Sequence, residues 1–259
     1  MPADEKDPVH TAGPATFGAA RSSKEAGDAT PAGVVSPGWS VLHLFCTVGP
    51  GTDRAAAELA VKACEAAGSQ VVTAAMLGHK ADLGVLALGP SLDALRSLQS
   101  ALVASGCTIT YSYVSLTEVS EYASGAPEAM REARLHPVLP PAEMPVFCFY
   151  PMSKRRSGDD NWYRLGYDER LELMYGHGAT GRTFHGRVLQ LVTGSTGLDD
   201  FEWGVTLFAV TMDDLKSCVY TMRFDEASAR YAEFGPFLVG TVGPLDEVLG
   251  AIGAGAPHP

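Results

Sequence analysis

One order of predicted elements, strand–helix–strand–strand–helix–strand, occurs twice along the chain, and this repeat limits the possible folds more than any other feature. Apolar and alternating segments predict the strands of the first copy over 40–47, 70–76, 83–88 and 108–114. Thr52 and Asp53 open the helix between the first two strands, and Ser91 caps the helix before the last strand. The first half of the chain is therefore predicted to be one complete α+β unit.

The second copy follows a proline-rich connector over 137–145. Its strands are predicted over 146–152, 187–192, 202–210 and 234–239. Its first helix is predicted to end near His177. Its second helix begins at Thr211, and Asp214 three residues later completes a capping box, which satisfies backbone amides at the start of a helix. The same order of elements thus returns.

A βαββαβ unit of this kind is a ferredoxin-like sheet with helices on one face, so its other face must be buried. Two such units in one chain can cover each other, sheet to sheet. We therefore predict an α+β fold in which two fused ferredoxin-like units form a dimeric α+β barrel, with any functional site in the second unit. The predicted division is a disordered tail over 1–38, a first unit over 39–136, the connector over 137–145 and a second unit over 146–259.

The charge and composition of the chain restrict its partners and its compartment. A net charge of −11 disfavours non-specific nucleic-acid binding, which requires clustered Lys and Arg. The five cysteines are scattered, without a C-x-x-C pair or zinc-ligand spacing, which predicts reduced thiols. No apolar stretch is long enough to span a bilayer, and the N-terminus lacks the pattern of a signal peptide. These features predict a cytoplasmic protein without a membrane span.

His177 is the first candidate for a functional side chain. Tyr167, Leu171, Met174 and His177 recur at helical spacing and predict a buried stripe, with the imidazole pointing inward from the last turn of the helix. A core histidine, or one favoured by the helix dipole, would fit this position. An axial iron ligand would fit it as well, because the neighbouring glycines leave room for a close approach.

The strand over 146–152 offers a second group of candidates. Side chains alternate along a strand, so Cys148, Tyr150, Met152 and, if the extension continues, Lys154 share one face. A phenol, a thioether and an ammonium would then line one wall of a ligand site. The alternative is that Tyr150 packs in the core and Lys154 is a solvated charge beyond the strand.

Three further polar residues lie in or after the apolar segments of the second unit. Gln190 interrupts the apolar run 188–192, where a buried amide without partners would cost about 1–3 kcal/mol. Water, backbone or a ligand would therefore have to meet it. Arg223 and Ser228 lie in a charged segment after the last helix, which is either solvated or able to hold a carboxylate.

The second half contains several long motifs in a fixed order. They are Phe149-Tyr150-Pro-Met-Ser-Lys154-Arg-Arg, Asn161-Trp162-Tyr163, His177-Gly178, Gly181-Arg182, Gln190, Gly197-Leu-Asp-Asp200-Phe-Glu-Trp203-Gly and Met222-Arg223-Phe-Asp-Glu-Ala-Ser228-Ala. Together they resemble the coproheme decarboxylases of the chlorite-dismutase-like superfamily, and the likeness spans roughly residues 39–250. The resemblance implies an enzyme that uses hydrogen peroxide to convert two propionates of iron coproporphyrin III (coprohaem) to vinyl groups. Carbon dioxide is released, and haem b is the product of this last step of coproporphyrin-dependent haem biosynthesis.

The resemblance also implies roles for single residues. His177 would be the proximal iron ligand, Tyr150 the residue whose radical abstracts hydrogen from a propionate, and Gln190 the distal polar residue. The implied propionate contacts are Lys154, Arg223 and Ser228. Coprohaem would be both substrate and redox cofactor. Known members form homopentamers, and a transient contact with the coproporphyrin ferrochelatase is implied.

The distal side distinguishes this chain from the chlorite dismutases. Those enzymes carry an arginine where Gln190 stands, so the release of oxygen from chlorite is not expected. Some members of the superfamily use a histidine ahead of the catalytic tyrosine instead. His136 stands fourteen residues before Tyr150, and either His136 or Arg134 is a candidate for the distal site.

Two other functions are compatible with the same residues. One is a non-catalytic haem carrier or sensor on the same barrel, in which His177 binds iron and Tyr150 only packs. The other is a porphyrin-free barrel like the small monooxygenases of this fold. A carrier would favour haem b over the porphyrin with four propionates, and a porphyrin-free barrel would give no Soret band with either.

Overall fold

The computed structural model describes residues 37–123 and 125–253. The strands within them are Pro37–Val48 (β1), Gln70–Leu77 (β2), Leu83–Gly89 (β3), Cys107–Glu118 (β4), Val146–Lys154 (β5), Val188–Gly194 (β6), Trp203–Ala209 (β7), Ala232–Phe234 (β8) and Leu238–Val242 (β9). The α-helices are Arg54–Ala66 (α1), Leu92–Ala104 (α2), Glu128–Leu135 (α3), Tyr167–Arg182 (α4), Met212–Met222 (α5), Glu226–Tyr231 (α6) and Leu245–Ala251 (α7). The tail predicted over 1–38 lies outside the described residues, apart from Pro37 and Gly38, which begin β1.

The repeated order of elements is confirmed. The first copy runs β1-α1-β2-β3-α2-β4, and the second runs β5-α4-β6-β7-α5-β9, with α6 and β8 inserted before β9. The predicted helix caps also form: Asp53, Ser91 and Thr211 each accept a hydrogen bond from the backbone N–H three residues later. In the described part of the chain, no helix has the length and apolar composition to cross a bilayer.

Eight of the strands close a ring. Their order is β7-β6-β4-β1-β3-β2-β9-β5, and β5 pairs with β7 to complete the circle, whereas β8 extends the sheet from β5. All neighbouring strands are antiparallel. The two copies contribute equivalent four-stranded sheets, β4-β1-β3-β2 and β6-β7-β5-β9, which join through short β4–β6 and β2–β9 pairings. The predicted α+β barrel of two ferredoxin-like units is confirmed.

The interior of the ring is filled by side chains from both sheets. Its largest fully buried members are Phe45, Tyr113, Phe147, Phe149 and Phe208. Burial of each such ring contributes about 1.5–3 kcal/mol. α1 and α2 cover the outer face of the first sheet, and α5 covers part of the outer face of the second. The predicted sheet-to-sheet burial is therefore present.

His43 is an ionisable residue inside this apolar interior. Its ring is fully buried and its centroid lies 4.2 Å from that of Phe149. Its Nε2 atom is 2.8 Å from Thr206 Oγ1, whereas Nδ1 has no partner among the described residues. Burial lowers the pKa of His43 from 6.5 to about 3, because a buried imidazolium would lose its hydration.

Stability should therefore decrease on acidification below pH 6.5. Between pH 6.5 and about 3 the unfolded chain protonates His43 and the folded protein does not, so acid favours unfolding. This residue should lower the free energy of unfolding by about 2 kcal/mol between pH 6.5 and pH 5. Denaturant unfolding at several pH values measures the effect. His43→Gln should flatten this dependence, and an unchanged slope would contradict the assignment.

Candidate functional site

α4 carries His177 and differs from its prediction in two ways. The helix continues to Arg182, so His177 lies within it rather than in its last turn. The predicted stripe is only partly buried, because no residue of α4 is fully buried. The helix passes through Gly176, Gly178 and Gly181, each of which costs about 1 kcal/mol relative to Ala. Packing of α4 against α5 and α6 offsets that cost, so the glycines do not end the helix.

The imidazole of His177 is held through one nitrogen. Its Nδ1 atom lies 3.1 Å from Asp225 Oδ1 and 3.4 Å from Ser228 Oγ. Within the described residues, Nε2 makes no hydrogen bond. An imidazole that donates through Nδ1 presents the lone pair of Nε2, which is the arrangement found in metal-ligating histidines.

Asp225 is the residue that orients His177, and sequence reasoning did not single it out. It is the N-cap of α6, where its Oδ1 also accepts a hydrogen bond from Ser228 N at 3.1 Å. Its side chain is 7% exposed, and Oδ2 is buried without a partner among the described residues. Burial acts to raise the pKa of Asp225, but hydrogen bonds with His177 and Ser228 outweigh it and the pKa is lowered. The carboxylate therefore stays ionised beside the imidazole.

Tyr150 lies on β5 in an aromatic pocket. It is 8% exposed, its ring stacks on Phe237 with centroids 4.5 Å apart, and Phe234 meets it edge-on at 5.6 Å. Its hydroxyl makes no hydrogen bond among the residues that the structure describes. Burial raises the pKa of Tyr150, and the nearby Cys148 and Cys218 thiols raise it further. The phenol is therefore protonated at neutral pH.

Gln190 lies on the same outer face of the second sheet as Tyr150. It pairs with Leu207 of β7, which pairs in turn with Cys148 of β5, and directly opposed residues share a face. Gln190 is exposed, so its amide avoids the cost of burial without a partner and is open to water or to a ligand. Strand alternation turns its neighbour Leu191 into the barrel and leaves the amide outside. Among the described residues, none covers this part of the face.

Lys154 is buried, so it is not a solvated charge beyond the strand. It is 7% exposed, and its ammonium donates to the Ala227 carbonyl at 2.8 Å and lies 4.5 Å from the centroid of the Trp162 ring. Burial lowers the pKa of Lys154 to about 8, while the charges of Asp225 and Glu202 oppose the shift. Lys154 therefore links β5 to α6, the helix whose N-cap orients His177.

The remaining candidates of the second unit occupy different surroundings. Met152 of β5 is half-buried, and it lies opposite Trp203 of β7 on one side and Phe234 of β8 on the other. Arg223 is exposed at the end of α5, with its guanidinium 5.2 Å from the centroid of the Tyr220 ring. Within 37–123 and 125–253, no carboxylate forms a salt bridge with Arg223. Its charge is therefore available to an external anion.

Arg134 and His136 belong to the segment around α3. Arg134 is exposed, and the structure gives it no salt bridge within the described ranges. His136 Nδ1 lies 2.7 Å from Glu132 Oε2, and its ring is 4.9 Å from that of Trp39. α3 packs mainly on β4 and β1. The recorded contacts of His136 thus lie in the first half of the chain and include neither Tyr150 nor His177.

The arrangement suits a flat metal complex better than a bare metal ion. In the described part of the chain, no three His, Cys, Asp or Glu side chains group as a metal site. An iron porphyrin brings its own nitrogen ligands, and His177 Nε2 would supply the further ligand that its iron takes from a protein. A Cβ added at Gly176 or Gly181 would meet nothing within 4 Å, so the surface of α4 leaves room beside His177. The residues present therefore fit an iron porphyrin.

Comparison with known proteins gives a family from the sequence and similar folds among solved structures. The family model described as chlorite dismutase matches residues 53–243. A solved haem-binding protein from Thermus thermophilus is 37% identical with a TM-score of 0.74, over 85% of this chain and 96% of that one. A mutant chlorite dismutase from Candidatus Nitrospira defluvii is 22% identical with a TM-score of 0.68, over 84% of this chain and 96% of that one. At that lower identity, the second likeness concerns the fold alone.

Proposed function

Because this chain belongs to the chlorite dismutase family, we propose that it binds iron coproporphyrin III and decarboxylates two of its propionates with hydrogen peroxide. The products are haem b and carbon dioxide. The observation that carries the proposal is the combination of an imidazole oriented by a buried carboxylate, His177 with Asp225, and a buried phenol without a hydrogen-bond partner among the described residues, Tyr150. The haem-binding protein from Thermus thermophilus, at 37% identity, supports the choice of ligand.

His177 binds the iron through Nε2. Asp225 keeps the proton on Nδ1 and holds the ring in one orientation. The His177 side chain therefore loses little conformational entropy when the ligand binds. When bound, the iron porphyrin supplies the redox chemistry, and its own propionates are the groups that react. Gln190 lies on the exposed part of the sheet face and is the proposed distal residue. As a neutral amide, it offers no positive charge to chlorite.

Tyr150 abstracts hydrogen from the propionate. Burial keeps its phenol protonated, so its electron and proton leave together and the product is a neutral radical. Hydrogen peroxide is the oxidant that takes the electron, and a carboxylate of the bound substrate or water would take the proton. Phe234 and Phe237 enclose the ring and are much harder to oxidise than a phenol, which keeps the radical on Tyr150. Each propionate loses two electrons, one proton and carbon dioxide to become a vinyl group. One hydrogen peroxide accepts those two electrons, that proton and one more from solvent and becomes two water molecules, so two peroxides are consumed for each haem b.

Arg223 is the stronger of the two proposed cationic propionate contacts. Its guanidinium is exposed, has no salt bridge among the described residues, and can bind a carboxylate with two hydrogen bonds. Lys154 would first have to give up its bond to the Ala227 carbonyl. Ser228 contacts His177 in this structure, so a propionate contact through its hydroxyl would compete with that role. We further propose a homo-oligomer that receives coprohaem from the ferrochelatase in the cytoplasm.

One assay separates the decarboxylase from a haem carrier. Ferric coprohaem is added to the protein, hydrogen peroxide is added next, and the mass of the porphyrin product is measured by mass spectrometry. A decarboxylase removes two carboxyl groups from the porphyrin. A carrier binds haem b in preference to coprohaem, and its ligand is bleached by peroxide without forming vinyl groups. The second result would contradict the proposed function.

Asp225→Asn should weaken porphyrin binding. The amide keeps the size of the carboxylate but loses its charge, and loss of a partner of this kind commonly costs about 10–100-fold in metal affinity. Titration of the protein with ferric coprohaem, followed in the Soret band, measures the change. Ser228→Ala is the matched control, because its longer 3.4 Å contact to Nδ1 should matter less. Equal affinity in Asp225→Asn and the original protein would remove Asp225 from the site.

A further inference from the structure

A connected series of oxidisable rings lies beside the proposed site. Trp162 is the centre of the series: its ring centroid is 5.3 Å from that of Tyr231 and 6.5 Å from that of Tyr122. Tyr122 in turn stacks on Tyr167 at 5.9 Å. The proposed decarboxylation uses none of these four side chains. Tyrosine and tryptophan are the residues that most readily donate single electrons, and these are in contact with one another.

The series leads from the site toward the surface. Trp162 is 3% exposed and lies under the ammonium of Lys154, which shares its strand face with Tyr150. Tyr122 and Tyr167 are only half-buried. Tyr122 belongs to a short turn after β4, and Tyr167 begins α4. From Trp162, the buried indole next to the site, the series therefore runs through Tyr122 to a phenol at the edge of the protein.

Tyr122 can lose its phenolic proton when it gives up an electron. Its hydroxyl accepts a hydrogen bond from Arg170 Nε at 3.0 Å. The same Arg170 guanidinium lies 3.9 Å from Glu121 Oε1, so a carboxylate stands next to the phenol and can accept its proton. Burial raises the pKa of Tyr122, so the phenol carries its proton until it is oxidised.

Tyr231 differs, because its ring is fully buried and its hydroxyl has no partner in the described ranges. The Tyr231 hydroxyl oxygen is itself buried, so neither solvent nor a described residue can take its proton. The Tyr150 phenol is 8% exposed on the sheet face that carries Gln190, where bound substrate or water can accept a proton. Tyr231 is therefore not part of the electron-transfer path.

We propose that Trp162, Tyr122 and Tyr167 form an electron-donor chain that removes oxidising equivalents from the site when peroxide reacts without a productive propionate. Trp162 gives one electron to the site. Tyr122 returns one electron to Trp162 and passes its proton to Glu121, and Tyr167 or a small thiol in solution then reduces the Tyr122 radical. Two such electrons balance one hydrogen peroxide. The inference rests on the proposed function, because that function supplies the peroxide.

Lys154 controls how easily Trp162, the first member of the electron-donor chain, is oxidised. A positive charge 4.5 Å from the Trp162 ring centroid disfavours the loss of an electron from the indole. Oxidation therefore falls first on Tyr150, whose nearest rings are phenylalanines. The donor chain acts when Tyr150 has no substrate hydrogen to abstract. If these rings had only a structural role, removing the charge of Lys154 would not change the yield of radical adducts on them.

The test uses the full chain loaded with haem b, which has already lost the reactive propionates. Hydrogen peroxide is added with a nitroso spin trap, and trapped radicals are located by peptide mass spectrometry. Adducts are expected on Tyr122 or Tyr167. Trp162→Phe and Tyr122→Phe should reduce Tyr167 adducts to background and accelerate bleaching of the Soret band severalfold. Lys154→Met should increase adducts on the chain severalfold.

Tyr231→Phe is the matched control, since it contacts Trp162 but ends in a hydroxyl without a described partner. Its adduct yield should equal that of the original protein. Undiminished Tyr167 adducts in Tyr122→Phe, or an equal loss in Tyr231→Phe, would overturn the inference. Coprohaem turnover is measured by mass on the same variants. Adducts without decarboxylation would contradict the proposed function and leave the donor chain standing. Decarboxylation without adducts would contradict the donor chain and leave the proposed function standing.

Discussion

Tyr150→Phe protein should bind coprohaem with unchanged affinity and form no haem b. The phenylalanine ring keeps the stacking on Phe237, and the missing hydroxyl has no hydrogen-bond partner among the described residues to leave unpaired. The free energy of unfolding should therefore change by no more than about 1 kcal/mol. Only the O–H bond that supplies the radical is lost. Soret titration measures binding, and mass spectrometry of the porphyrin after peroxide measures turnover.

Tyr175→Phe is the control for that result. Tyr175 is 73% exposed on α4, so the same change of chemistry there should leave both binding and turnover intact. Loss of turnover in both variants would indicate damage from peroxide rather than a specific role. Normal production of haem b by Tyr150→Phe would exclude the tyrosyl radical and would leave the iron-binding part of the proposal standing.

His177→Ala should abolish stable binding of the porphyrin. The variant loses the axial ligand itself, so its affinity should fall further than the about 10–100-fold expected for an outer partner such as Asp225. It should also leave the Asp225 carboxylate, 7% exposed, without its imidazole partner, which costs about 1–3 kcal/mol of stability. Soret titration and denaturant unfolding measure the two effects separately.

His185→Ala provides the comparison for that variant. His185 is exposed and lies beyond the end of α4, so its removal should change neither quantity. Added imidazole should restore part of the axial spectrum in His177→Ala, because a small ligand can occupy the vacated space. A histidine-type spectrum in His177→Ala without added imidazole would assign the iron ligand to another residue.

The fold followed from local patterns. Alternation along strands and the 3.6-residue period of helices are properties of neighbouring residues, so the βαββαβ order and the caps at Asp53, Ser91 and Thr211 were predicted correctly. The end of α4 was predicted wrongly. Three glycines after Tyr175 predicted an early end, and contacts of α4 with α5 and α6, which are distant in sequence, carried the helix on to Arg182.

The sequence predicted some features of the candidate site and missed others. The two-residue period of a strand is enough to place Tyr150, Met152 and Lys154 on a common face. The burial of Lys154 was unforeseen, because its partners Ala227 and Trp162 come from other elements. For Gln190 the sequence left water, backbone and a ligand as alternatives, because an apolar run does not reveal which of its faces the helices cover; in the structure the residue is exposed.

The sequence by itself determined the repeated unit, the barrel and the strand face that carries Tyr150, because each depends on the spacing of residues a few positions apart. The tertiary structure decided which groups meet. Asp225 orients His177 across 48 residues, and the Tyr122 and Trp162 rings meet across the boundary between the two halves. Such pairs leave no periodic signal, since their proximity depends on how whole sheets and helices pack. That packing turns a chain with a suitable histidine and tyrosine into a site with one oriented imidazole and one enclosed phenol.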